Sequence, residues 1–201
     1  MKLRLIRAAA AASMVGALTV PAAAHASFVL DTGTPTGAST YALLTSPYDV
    51  EFAANPGETI TSIAAYLTVG SGQPGDNVLF EIFTAAGISN RNAVPVYSTE
   101  ATFHANGWTS ASASWTPSAA ADYWLVVAPV TGQTGLDLPG EASQQTGTVR
   151  ALGFGVGTGS TYRTSTAAIG VEVSAVPLPP AAWLMLFGLG ALGWVTQRKR
   201  I

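Results

Sequence analysis

The chain has 201 residues, of which 48% are apolar and 10% charged, with no cysteine and a formal net charge of −2. The missing cysteines exclude a disulfide framework and thiol chemistry. All eleven carboxylates fall between Asp31 and Glu172, beside only Arg91, Arg150 and Arg163. That region therefore carries −8 and is excluded from nucleic-acid binding, which needs Lys and Arg to neutralise phosphates; anionic lipid headgroups repel it too.

The chain opens with the basic stretch Met1 to Arg7, followed by an apolar run from Ala8 to Val20 that Pro21 breaks. That run is too short to span a bilayer as a helix. Ala24-His25-Ala26 then supplies the small-x-small pattern of a signal-peptidase site. Residues 1–26 are thus expected to be a helical signal peptide, with Ser27 as the first mature residue and signal peptidase as a partner.

Residues 27–175 are expected to form one domain, long enough to bury a real core. Their short alternating runs, rich in Thr, Ser, Ala and Val, predict an all-β fold, an antiparallel jelly-roll-like β-sandwich. Thr59 to Val69 alternates Ile63, Ala65, Leu67 and Val69 against Ser62, Ala64, Tyr66 and Thr68. A loop follows from Gly70 to Gly75. Asn77 to Phe83 sets Val78, Phe80 and Ile82 on one face and Glu81 on the other. Val94 to Phe103 is the next strand, and Asn106-Gly107 a strong turn signal. Trp108 to Trp115 alternates Ser with Ala. Tyr123 to Val127 is continuously apolar, which predicts the most buried strand, with Trp124 in the core. Thr131 to Thr148 reads as a long polar loop. Arg150 to Phe154 and Ala168 to Val173 are expected to close the sheets.

Chemistry-bearing residues are few. His104 is the only histidine after the signal peptide, and no Gly-x-Ser-x-Gly elbow accompanies it, so a Ser-His-Asp triad has little support. One histidine and no cysteine leave a zinc site only carboxylates. Glu51, Glu81, Glu100 and Glu172 fall on strand segments, where a solvated sheet face is the simpler reading than a glycosidase pair. Asp31, Asp76, Asp137 and Glu141 fall in loops where calcium could be held, but without the EF-hand pattern. Among Tyr97, Trp108, Trp115, Tyr123 and Trp124, Trp108 beside the turn is the one expected to expose its ring as a sugar contact. No catalytic residue, metal or cofactor is assigned.

The tail, residues 176–201, begins with the knuckle Val176-Pro177-Leu178-Pro179. An uncharged apolar segment follows, expected as a transmembrane helix over 181–196. At about 1.5 Å per residue its stretch from Ala181 to Val195 covers roughly 22 Å, less than the ~30 Å hydrocarbon core. Trp183 and Trp194 sit near its ends, and Arg198, Lys199 and Arg200 hold the far end in the cytoplasm. The prolines keep the approach to the membrane extended.

This tail resembles a PEP-CTERM sorting domain. The match is Val176-Pro177-Leu178-Pro179, then Ala182-Trp183-Leu184, Gly188-Leu189, Leu192-Gly193 and Arg198-Lys199-Arg200, with Leu178 where Glu is usual. The resemblance implies a Gram-negative bacterium and processing by an exosortase-type enzyme, in a setting of exopolysaccharide synthesis. The central region is similar to choice-of-anchor ectodomains. The matching pieces are Phe52, Thr59 to Ile63, Leu67, Gly70, Phe80 to Phe83 and Asp122 to Val127. The expectation is an exported, surface-targeted, non-enzymatic structural or adhesive protein in contact with exopolysaccharide. It passes through the inner membrane on its C-terminal helix. A carbohydrate-binding module is the alternative, and a glycoside hydrolase a further one.

Overall fold

A computed structural model describes residues 25–37, 40–43, 46–85, 94–130, 135–140, 151–158, 161–164 and 168–177. The expected signal helix and the helix over 181–196 lie outside the described residues. No helix among the described residues is long and apolar enough to cross a membrane.

The described residues contain twelve strands: β1 (Ser27–Asp31), β2 (Thr40–Ala42), β3 (Tyr48–Ala54), β4 (Glu58–Val69), β5 (Asn77–Thr84), β6 (Tyr97–Thr102), β7 (Gly107–Trp115), β8 (Ala121–Pro129), β9 (Leu136–Pro139), β10 (Gly153–Thr158), β11 (Thr161–Thr164) and β12 (Val171–Pro177). They form two antiparallel sheets. One runs β1-β12-β4-β9-β2, with β7 also paired to β4; the other runs β11-β10-β3-β8-β5-β6. Successive strands repeatedly change sheet, as in a jelly roll, so the pairings are mostly non-local. Ala24 to Leu178 is a compact unit by itself.

The alternation read from the sequence sets the inner faces. On β4, Ile63, Ala65 and Leu67 are buried; on β5, so are Val78, Phe80 and Ile82. From the other strands come Val50 and Phe52, then Tyr123, Leu125 and Val127, then Val171, Val173 and Ala175, with Phe103 closing the core. Burying each such large apolar side chain contributes roughly 1.5–3 kcal/mol. The chain bends at Asn106-Gly107, with Gly107 at φ 134°, but the bend is not a hairpin: it carries the chain from β6 in one sheet to β7 in the other. Asn106 Oδ1 accepts the Val69 N–H at 2.8 Å and so ties the turn to the end of β4.

Two expectations need correction. Trp124 is not in the core: Tyr123, Leu125 and Val127 join the buried cluster, while Trp124 is only half-buried on the opposite face. An unbroken apolar run carries no phase, and the pairing of β8 between β3 and β5 chose the other set. The long loop expected from Thr131 to Thr148 contains a strand, β9, whose Leu136 and Leu138 are buried. It pairs with β2 and with the last two residues of β4. Four residues are too few for periodicity to reveal.

Candidate functional site

Two regions of the sandwich hold the residues singled out by sequence. The first is where the chain enters and leaves it. β1 and β12 are antiparallel, with Ser27 opposite Ala175, Phe28 opposite Ser174 and Asp31 opposite Glu172. The start of β1 and the end of β12 therefore lie side by side at one end of the sheet. The pairing is clamped at its other end by Thr32, fully buried, whose hydroxyl donates to the Ile169 carbonyl and accepts from the Val171 N–H, both at 2.7 Å. At the open end, Ala26, Ser27 and Phe28 are exposed.

β12 continues past Ala175. Val176 lies opposite Thr59 and Pro177 opposite Glu58 on β4. Val176 is half-buried and Pro177 exposed. Proline has no N–H to give a ladder, and the strand ends at Pro177, inside the knuckle. Half of the expected sorting knuckle is therefore part of an interior strand. Leu178, Pro179, Arg198, Lys199, Arg200 and Ala24 lie outside the described residues.

The second region surrounds Trp108. Trp108 is 36% exposed, in keeping with its place as the candidate for a free indole face. Tyr66, its cross-strand partner on β4, meets it edge-on with ring centres 5.5 Å apart at 87°. This contact fixes the indole while leaving part of it open. Beside it lies an open groove of about 530 Å³ where β6 leaves one sheet and β7 joins the other. Glu100, His104, Asn106, Ser110 and Ser112 line it with Trp108. The two strands are bridged beyond it: the Ser114 N–H donates to the Tyr97 hydroxyl at 3.2 Å, and Thr99 Oγ1 donates to the Ser112 carbonyl at 3.4 Å. The groove thus offers an aromatic surface flanked by hydroxyls, an imidazole, an amide and one carboxylate. Sequence reasoning found Trp108 through the adjacent turn. It missed the groove, because a slot between two sheets has no signature in either strand.

The other aromatic candidates are engaged elsewhere. Tyr123 is buried and meets Trp115 edge-on at 5.0 Å, and Tyr97 is half-buried. Of the carboxylates expected in loops, Asp31 instead ends β1 and Asp137 lies on β9, since both pair with neighbouring strands, and Glu141 is outside the described residues; Asp31 Oδ1 accepts the Gly33 N–H and Asp76 Oδ2 the Gln73 N–H. Among the described residues, no three His, Asp or Glu side chains gather as a metal site. Glu51 and Glu81 do not face one another across a cleft, since β8 lies between their strands. Burial raises the Glu81 carboxyl above its usual range; burial and then Asp122 raise Glu51; burial and then Asp31 raise Glu172. His104 is exposed, on the groove rim.

Residues 175–200 match the family model of the PEP-CTERM protein-sorting motif. The match takes in the knuckle, the apolar segment and the basic cluster named from sequence, and its first three residues are the last three of β12. No curated protein and no solved structure matches the chain.

Proposed function

We propose, from the PEP-CTERM sorting motif that this chain carries at 175–200, that it is a non-enzymatic surface protein of a Gram-negative bacterium. It is retained in an exopolysaccharide matrix as a structural or adhesive component. The motif supports export, transient anchoring in the membrane and processing by an exosortase-type enzyme. Signal peptidase removes residues 1–26, Val176 to Pro179 present the tail to the processing enzyme, and Arg198, Lys199 and Arg200 fix its orientation.

The observation that carries the contact with polysaccharide is Trp108, half open beside a polar groove. An indole face packs against the C–H face of a pyranose while the neighbouring polar groups bond its hydroxyls. The charge of −8 over the domain makes an uncharged polysaccharide the fitting partner, because an acidic one is repelled. This specific feature also favours the reading as a carbohydrate-binding module. A hydrolase is less well supported, since a glycosidase uses two carboxyl groups and this groove presents Glu100 alone among the described residues.

Two measurements test the reading. Mass spectrometry of the protein from its native host should find the peptide around Trp183 to Trp194 gone, and in a host without the enzyme still attached. An intact Ile201 end in the native host would leave a plain membrane anchor. Trp108→Ala should release the protein from isolated exopolysaccharide while its melting temperature changes little. Unaltered retention would remove Trp108 from the contact.

A further inference from the structure

Trp108 stands at one corner of a wider surface. On β7 it shares the outward face with Ser110, Ser112 and Ser114, all exposed, while Thr109 and Ala111 between them are buried. Strand pairing carries this face across the sheet. Ser110 lies opposite Ala64 and Ser112 opposite Ser62 on β4. Ala64 and Ser62 lie in turn opposite Glu172 and Ser174 on β12, and these opposite Asp31 and Phe28 on β1. Val171, Val173 and Ala175 belong to the core, so Glu172 and Ser174 point the other way, outward. Phe28, at the end of its row, is 42% exposed. Two open aromatic rings therefore share the outer face of one sheet, at opposite corners.

The route between them is low and has one open direction. Trp108 and Phe28 are separated by three strand spacings and by four residues along β4, about 14 Å each way, hence roughly 20 Å along the diagonal. Straight across the sheet from Trp108 the way is closed. Tyr66 stands beside the indole, and beyond it Pro35 covers Gly170, where a β-carbon would lie 2.7 Å from Pro35 Cδ and 2.9 Å from Tyr66 Cβ. The diagonal crosses only the short side chains of Ala64, Ser62 and Ser174 before it reaches Phe28.

The chemistry of this strip fits the polymer already placed at Trp108. A pyranose chain has C–H faces that pack on aromatic rings, and hydroxyls that serine side chains can bond. Among the described residues of these four strands the charged side chains are Asp31, Glu58 and Glu172, all acidic, so an acidic polymer is repelled and an uncharged one is not. Once one ring is engaged, the second contact is intramolecular and adds to retention without a second docking event.

We propose that Phe28 is a second aromatic contact for an uncharged polysaccharide, which lies diagonally across the outer face of this sheet from Trp108 to Phe28. The inference rests on the polysaccharide reading of Trp108 and extends it from one ring to a strip. A short fragment reaches Trp108 alone; a longer one engages both rings.

The test uses the mature protein purified from its native host. The probes are oligosaccharides released from that host's isolated exopolysaccharide by partial hydrolysis and sorted by length. Wild-type affinity, measured by calorimetry, should rise once the fragments span about 20 Å. Phe28→Ala should weaken the long fragments about three- to tenfold, as loss of an aromatic contact does, and leave disaccharides bound as before. Phe28→Trp, which keeps a ring at that corner, should bind both lengths like the wild type. Wild-type affinity for long fragments in Phe28→Ala, or an equal loss for short and long ones, would overturn the strip while leaving Trp108 in place. A wild type that binds neither length, or a Trp108→Ala variant that binds both unchanged, would overturn the Trp108 reading itself, and the strip with it.

Discussion

The carboxylate of Asp49 occupies the space that a side chain on Gly155 would fill. The two are partners across the β3–β10 register, and Asp49 is almost fully buried. A β-carbon at Gly155 would collide with Asp49 Oδ1 and lie 2.8 Å from its Cγ. Gly153 is the next glycine on the same face of β10. A β-carbon there would meet the tip of Glu51 at 3.2 Å and the Trp124 ring at 3.5 Å, and a flexible carboxylate can yield. Gly155→Ala should therefore cost about 1–3 kcal/mol, as overpacking does. Gly153→Ala should cost clearly less. Urea denaturation of both variants checks the difference, and equal losses would mean that Asp49 moves aside freely.

The facing of β8 makes a second prediction. Phe80 is fully buried across from it, and Phe80→Ala should cost about 3–5 kcal/mol through the cavity it leaves. Trp124→Ala should cost less, although the side chain is larger, because half-buried atoms leave no closed void. If denaturation ranks Trp124 above Phe80, the face assigned to β8 is wrong.

Glu81 sets a pH dependence. Its carboxyl is raised in the folded protein because burial disfavours the charge. In the window between its unfolded and folded values, the folded state holds more proton than the unfolded state. Stability contributed by this group is present at acid pH and is lost as pH rises through the folded value. Glu81→Gln should then raise the melting temperature at about pH 7. The difference should vanish near pH 3, where the carboxyl is protonated in both states. Partial exposure keeps the effect small. A variant that is less stable at neutral pH would show that the charged form is favoured instead.

Gly107 gives a purely conformational prediction. It sits at φ 134° with no atom within 4 Å of an added β-carbon. Gly107→Ala should cost about 1–3 kcal/mol through backbone strain alone. The strain falls on the residue that precedes Trp108, so polysaccharide retention should weaken with it. Wild-type stability in this variant, checked by thermal melting, would mean that the turn relaxes to another conformation.

Some of this was legible because it is local. A short-range alternation fixes which side chains share a face, so Ile63, Ala65 and Leu67, or Val78, Phe80 and Ile82, could be grouped without coordinates. Asn106-Gly107 could be placed because a left-handed backbone demands glycine. The sorting tail could be read because charge, apolar length and proline act on the chain in order. Trp108 could be marked as exposed from its place beside a turn.

What lay beyond the sequence depends on partners distant in the chain. The Tyr123 to Val127 run is apolar at every position, so only its neighbours β3 and β5 decided that Tyr123 faces in and Trp124 out. β9 became a strand because β2 and β4 offered it hydrogen bonds, not because four residues prefer extension. The groove at Trp108 exists only where two sheets diverge. The pairing of Ser27 with Ala175 joins residues 148 positions apart in the chain. Sequence alone determined that this is an exported β-protein with a C-terminal sorting motif, since those properties are carried by composition and local order. Only the tertiary structure put Ser27 opposite Ala175, because strand pairing is a choice of partner, and the alternation within a strand does not name one.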